Sequence, residues 1–129
     1  MFSALSRSST LLVNIGARNL SAIPVKQVAS VLKLNVGNEA NAIKIDAAMK
    51  KLGTMMKAHP GYSHATRYVC KTEWAYEMSY IFKDLDSFKA WKTSKVRDQV
   101  HTAYLAALKD AGIKEESVYS GARVHDEWR

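Results

Sequence analysis

Residues 73–82 read EWAYEMSYIF, and this stretch decides the fold. Trp74, Tyr76, Met78, Tyr80 and Phe82 recur at every second position, while Glu73, Glu77 and Ser79 fall between them. A helix would scatter these large apolar side chains around its whole circumference. An extended strand gathers them on one face and leaves the polar residues on the other. The segment is predicted to be a strand packed on one side.

Upstream, residues 62–70 (YSHATRYVC) form a partner strand, joined to the first by a tight turn at Lys71-Thr72. Before it, His59-Pro60-Gly61 stops a helix. That helix starts at Asn38 or Asn41 and runs to about residue 58. Its Ile45, Ala48, Met49, Leu52 and Met55 or Met56 recur at three and four. Residues 28–36 (VASVLKLNV) alternate again, with Leu32, Leu34 and Val36 on one face and Val31, Lys33 and Asn35 on the other, and Gly37-Asn38 ends them.

Downstream, Asp84 and Asp86 open a helical region that lasts to Ala111 and closes at Gly112. Lys92-Thr93-Ser94 interrupts it, with Ser94 as the N-cap of a new start at Lys95. Residues 117–124 form the last strand, followed by a short tail. The order β-α-β-β-α-β, with right-handed crossovers, is an α+β, ferredoxin-like antiparallel sheet with its helices on one face. Water is a poor partner for the bare face, so two copies are expected to pack sheet to sheet as a homodimer, a dimeric α/β barrel.

Composition sets the frame. A chain of 129 residues, 47% hydrophobic and 24% charged, fits one globular domain. No apolar run approaches the ~20 residues of a membrane-spanning helix. The single cysteine, Cys70, excludes an internal disulfide framework and reads as a small buried hydrophobe closing its strand. The net charge of +7 is unevenly spread: residues 1–38 carry Arg7, Arg18, Lys26 and Lys33 and no acid. A nucleic-acid binder concentrates its positive charge on a folded face, so nucleic acid is not the expected partner. Residues 1–25, serine-rich, arginine-bearing and free of acids, have the composition of an organellar transit peptide, with mitochondrion the first destination and plastid the second. A plain N-terminal tail is the bland alternative. The folded domain is expected to span residues 26–129.

The region that carries chemistry is residues 86–108, DSFKAWKTSKVRDQVHTAYLAAL. On one unbroken helix Trp91 and His101 would be about 1,000° and ~15 Å apart and would share no site. A bend at residues 92–94 brings the indole back toward the face of His101, and His101, Leu105 and Leu108 form an inward stripe at i, i+4 and i+7. The run Phe88-x-x-Trp91-x-x-Ser94-x-Val96-x-x-x-x-His101 resembles the second-helix motif of IsdG-type haem-degrading monooxygenases, within the antibiotic-biosynthesis-monooxygenase (ABM) group of dimeric α/β barrels.

That resemblance implies haem as substrate and cofactor together, O₂, and electrons from an external reductase. It implies His101 as axial ligand of the haem iron and Trp91 distorting the ring. Asn35 would stand, across a small gap, for an asparagine near the distal oxygen site. Leu105 and Leu108 would then line the porphyrin slot with Trp91. The resemblance thus implies oxidative opening of the porphyrin and release of iron.

Two other readings stand beside it. One is a cofactor-independent ABM monooxygenase acting on a small aromatic or quinone-like molecule in the same cavity. The other is a non-catalytic subunit of a mitochondrial complex. The remaining histidines suggest no chemistry in sequence. His59 reads as an exposed helix end, His64 as one sheet face with Tyr62, Thr66 and Tyr68, and His125 as tail. No pair has zinc-ligand spacing, and no Ser-His-Asp order is present.

Overall fold

The computed structural model of the chain describes residues 22–129, so the transit-peptide reading of the leader lies outside the described residues. Strand β1 (Gln27–Asn35) leads through Gly37 and the N-cap Asn38 into helix α1 (Glu39–Met56). Asn38 accepts from the backbone N–H of Asn41, satisfying a donor that has no partner within the helix. Strands β2 (Tyr62–Val69) and β3 (Ala75–Phe82) form a hairpin. Helix α2 (Leu85–Lys92) is capped by Asp84, and helix α3 (Lys95–Asp110) by Ser94. A short 3-10 turn (Glu115–Ser117) precedes strand β4 (Tyr119–His125).

The sheet runs β2-β3-β1-β4 with every neighbouring pair antiparallel, which is the ferredoxin-like α+β arrangement. Its inner face packs the alternating Tyr76, Met78, Tyr80 and Phe82 of β3 and Val28 and Leu34 of β1 against Ile45, Met49, Leu52 and Met56 of α1. Val25, ahead of β1, packs against this core. The outer face carries Lys33, Glu77, Thr66 and Tyr119 around a small buried cluster of Ala29, Val31 and Ile81.

Four local expectations change. Trp74 does not extend β3: it has φ +59° and belongs to the turn, where its N–H donates to the Cys70 carbonyl. Cys70 lies beyond the end of β2, partly exposed, with its thiol beside Thr72. The buried stripe of α3 is Val100, Tyr104 and Leu108, which leaves His101 and Leu105 on its flanks. Strand β2 holds an irregularity, since Tyr62 pairs with Phe82 but His64 pairs with Ile81. The extra residue, Ser63, rotates the strand, so Tyr62 faces the helices while His64, Thr66 and Tyr68 face outward.

His59 is the largest departure. It is buried, 7% exposed, and its Nε2 donates to the Ser87 carbonyl at 2.9 Å. The chain can turn there because Gly61, at φ +92°, lies so close to Ser87 that a Cβ would meet that side chain at 2.2–2.4 Å.

Candidate functional site

The break that Ser94 creates is the source of the site. Ser94 Oγ donates to the Trp91 carbonyl at 2.8 Å and accepts from the Arg97 N–H at 3.1 Å, so a single hydroxyl closes α2 and starts α3. The two helices diverge from this point. Trp91 stays down against Phe82 of the sheet, and α3 runs alongside α1. Between them, the inner sheet face and α1 lies a cavity of about 260 Å³.

Trp91 and His101 both line it, so the bend brings together two residues that a straight helix would separate. The remaining walls are Ser30 and Leu32 of β1, Leu52 and Met56 of α1, Tyr80 of β3, Val100 and Tyr104 of α3, and Ser120 of β4. Arg97 and Glu115 add one charge of each sign. The cavity is therefore walled mainly by apolar and aromatic side chains, with polar groups from Arg97 of α3, Glu115 of the 3-10 turn and Ser30 and Ser120 of the sheet.

The polar groups differ in how far they are committed. Tyr80 donates its hydroxyl to the Met49 carbonyl at 2.8 Å, and burial, with Tyr62 and Asp46 nearby, pushes its ionisation well above the ordinary phenol value. Tyr104 is also pushed up, by burial first and by Glu115 second. Both phenols stay protonated at neutral pH. His101 has its ring 5.9 Å from that of Tyr104 and half-buries its side of α3. Among the described residues neither of its ring nitrogens has a hydrogen-bond or ion-pair partner. The site thus presents one uncommitted imidazole inside an aromatic cavity.

The other residues suggested by sequence lie elsewhere. Asn35 sits past the far end of the outer face, where Nδ2 donates to the Glu73 carbonyl at 2.8 Å and Oδ1 accepts from the Gly37 N–H at 2.8 Å. It ties two loops together and does not reach the cavity. Leu105 and Leu108 belong to the core beneath α3, outside the cavity lining. Sequence reasoning did not single out Tyr104, Arg97, Glu115 or the two serines. Tyr104 was visible as the residue one turn beyond His101, but Glu115 lies in a turn with no periodicity to read.

A second, shallower groove between α1 and β2 contains Asp46, which accepts from Tyr76 Oη at 2.7 Å and pairs with Arg67 at 2.7 Å and Lys50 at 3.3 Å. Burial pushes the Asp46 carboxyl up, but the bonds from Tyr76, Arg67 and Lys50 together hold it below the usual carboxylate value. Every charge in this cluster has its partner, which marks it as structural.

No protein-family model and no curated protein sequence matches the chain. The fold does match solved structures. SnoaB, a cofactor-independent oxygenase from Streptomyces nogalater, superposes with TM-score 0.55 at 13% identity, over 81% of this chain and 95% of that one. A Caulobacter crescentus protein provisionally assigned as an antibiotic biosynthesis monooxygenase gives TM-score 0.53 at 19% identity, over 79% and 92%. A dimeric ferredoxin-like protein of unknown function from Jannaschia gives 0.53 at 12% identity, over 75% and 97%. The structural neighbours of this chain are ABM-type monooxygenases and dimeric ferredoxin-like proteins, and at these identities the likeness is one of fold.

This corrects the haem expectation. SnoaB carries the fold and is an oxygenase without a cofactor, so neither haem nor an external electron donor follows from the architecture. The residues do not fit a porphyrin either. A cavity of about 260 Å³ falls below the ~300–1,000 Å³ usual for ligand pockets, and a porphyrin would need the upper part of that range. Trp91 is 7% exposed and wedged between His59 and Phe82, with ring centroids at 5.6 Å from each, so its indole is not free to lean on a macrocycle.

Proposed function

We propose that the cavity between the sheet and the split helix is the active site of a cofactor-independent monooxygenase acting on a small aromatic or quinone-like molecule. The observation that carries this reading is the unpartnered imidazole of His101 in a cavity walled by Trp91, Tyr80 and Tyr104. An oxygenase without a cofactor takes its electrons from the substrate, so the substrate must become an electron-rich anion. Imidazole is the side chain best suited to accept that proton near neutral pH. Oxidation of a phenol's free ring position, a CH₂ in the keto tautomer, to C=O surrenders four electrons, which reduce one O₂ to the carbonyl oxygen and one water. In this reading His101 is the base, the Tyr104 hydroxyl donates to the developing oxyanion, and the aromatic walls orient a flat ring and exclude water. A molecule of one or two fused rings is on the order of the cavity's size.

The experiment is oxygen uptake by the purified chain, with no added cofactor, against a panel of phenolic and hydroquinone-type bicyclic compounds. Wild-type protein turns over at least one of them and releases a more oxidised ring, while His101→Gln loses about 10²-fold or more in rate. Equal uptake by the variant, or none by wild type across the panel, would overturn the reading and leave a non-catalytic role.

Two further parts of this reading rest on other features. The exposed outer face, with Tyr68 70% exposed, and the dimeric neighbour support a homodimer joined through the sheets, which sedimentation at several concentrations would read directly. The mitochondrial address rests on the composition of the leader alone. Among the described residues, no helix is long and apolar enough to cross a membrane.

A further inference from the structure

On the sheet face opposite the cavity, at the end where β1 begins and β3 finishes, three side chains converge. His64 Nε2 lies 3.2 Å from Glu127 Oε1, and His125 Nε2 lies 3.1 Å from the same oxygen. The two imidazole rings are 6.2 Å apart, and one ligand atom from each of the three residues lies within 4.8 Å of the others. His64 comes from one edge strand and His125 from the other, with Ile81 and Ala29 between them in the sheet order. Glu127 reaches back from the tail that follows β4. We infer that His64, His125 and Glu127 form a binding site for a divalent first-row transition cation of the zinc class.

Three observations carry this. Ligand bonds of 2.0–2.2 Å in a tetrahedron set neighbouring ligand atoms about 3.3 Å apart, and two of the three edges already have that length. His64 belongs to the regular run of β2 pairing, opposite Ile81, which sets it on this face with Thr66 and Tyr68, while the irregularity at Ser63 turns Tyr62 to the other side. Finally, Ser63 Oγ lies 2.8 Å from His64 Nδ1, the outer hydrogen bond that orients a metal-bound imidazole. A hydroxyl can donate or accept, so Ser63 suits His64 both with Nε2 protonated toward Glu127 and with Nε2 bare toward a cation.

Two imidazoles and a carboxylate favour zinc, nickel or copper over calcium and magnesium, which prefer oxygen alone. Three protein ligands leave a fourth position to water or, in a homodimer joined through the outer faces, to a partner side chain. Arg129 sits 3.6 Å from the other carboxylate oxygen of Glu127, on the side away from the imidazoles, and need not leave. Bound there, the ion would clasp both edge strands and the tail. The site is on the opposite face from His101 and stands whether or not the oxygenase reading does.

The test uses the full-length chain, stripped by dialysis against a chelator and titrated with ZnCl₂, with CoCl₂ as a spectroscopic probe. One zinc binds per chain, Co²⁺ gives visible d–d bands without a thiolate charge-transfer band, and Mg²⁺ does not compete. The double variant His64→Gln/His125→Gln loses at least 100-fold in affinity, and Ser63→Ala loses about 10-fold. Circular dichroism confirms that the variants remain folded. Absence of binding by wild type, unchanged binding by the double variant, or a cobalt–thiolate band that places the ion at Cys70 would each overturn the site. The first of these outcomes would leave Glu127 as a carboxylate that merely accepts hydrogen bonds from two histidines.

Discussion

Trp91 and His101 border the same cavity but are held in opposite ways. The indole is packed edge-on against His59 and tilted against Phe82, and His59 is fixed in turn by the Ser87 carbonyl. The imidazole has the Tyr104 ring as its one aromatic neighbour and both nitrogens uncommitted among the described residues. One residue holds the wall of the cavity in place; the other faces into it. On the proposed function, adjacent segments of one interrupted helix divide stability and chemistry between them, and mutations can test that division.

The largest effect is expected on the anchored side. Trp91→Ala removes a buried aromatic from the junction of α2, β3 and the chain around His59, and the surrounding rings cannot collapse into the space without moving α2. The loss should be roughly 3–5 kcal/mol in urea unfolding. A loss below about 1 kcal/mol would mean that the indole is dispensable to packing, and the contrast with His101 would disappear.

This division explains what could be read in the sequence. The period-two pattern of residues 76–82, the capping residues Asn38, Asp84 and Ser94 and the break before Lys95 are local signals, and each matches the structure. Even the meeting of Trp91 and His101 followed from a local cap. What was not legible depended on contacts far along the chain. His59 looked like an exposed helix end, because nothing nearby discloses that the Ser87 carbonyl, 28 residues on, will accept its proton. The extra residue at Ser63 separates Tyr62 from the face that His64, Thr66 and Tyr68 share, without leaving a pattern in the alternation. The haem expectation failed for a related reason. A spacing specifies where side chains emerge, whereas the volume between them is set by how the whole helix settles on the sheet.

An intermediate effect is expected at Asp46, the inner-face charge that has all its partners. Its folded carboxyl titrates below the unfolded value of ~3.9, so the stabilisation is complete above that value and disappears as pH falls through the folded one. Stability measured from pH 6 downward should therefore decline below about pH 4. Asp46→Asn should reduce the part of that decline due to this group and cost on the order of 1 kcal/mol at neutral pH, since the pairs with Arg67 and Lys50 lie partly open to solvent. An acid limb identical in wild type and variant would assign the pH dependence to other carboxylates.

The smallest effect on stability is expected at the residue with the largest proposed effect on chemistry. His101→Gln keeps a polar side chain of similar reach on the flank of α3, breaks no hydrogen bond among the described residues, and leaves the buried Val100, Tyr104 and Leu108 stripe untouched. Its ring contact with Tyr104 is lost. The change should stay within about 0.5 kcal/mol, a shift of no more than about 2–4 °C in Tm for a domain of this size. A loss near 2 kcal/mol would show that the imidazole is spoken for by the folded chain. An imidazole with both nitrogens so committed could not also be the base, because turnover requires one of them to exchange a proton with whatever occupies the cavity.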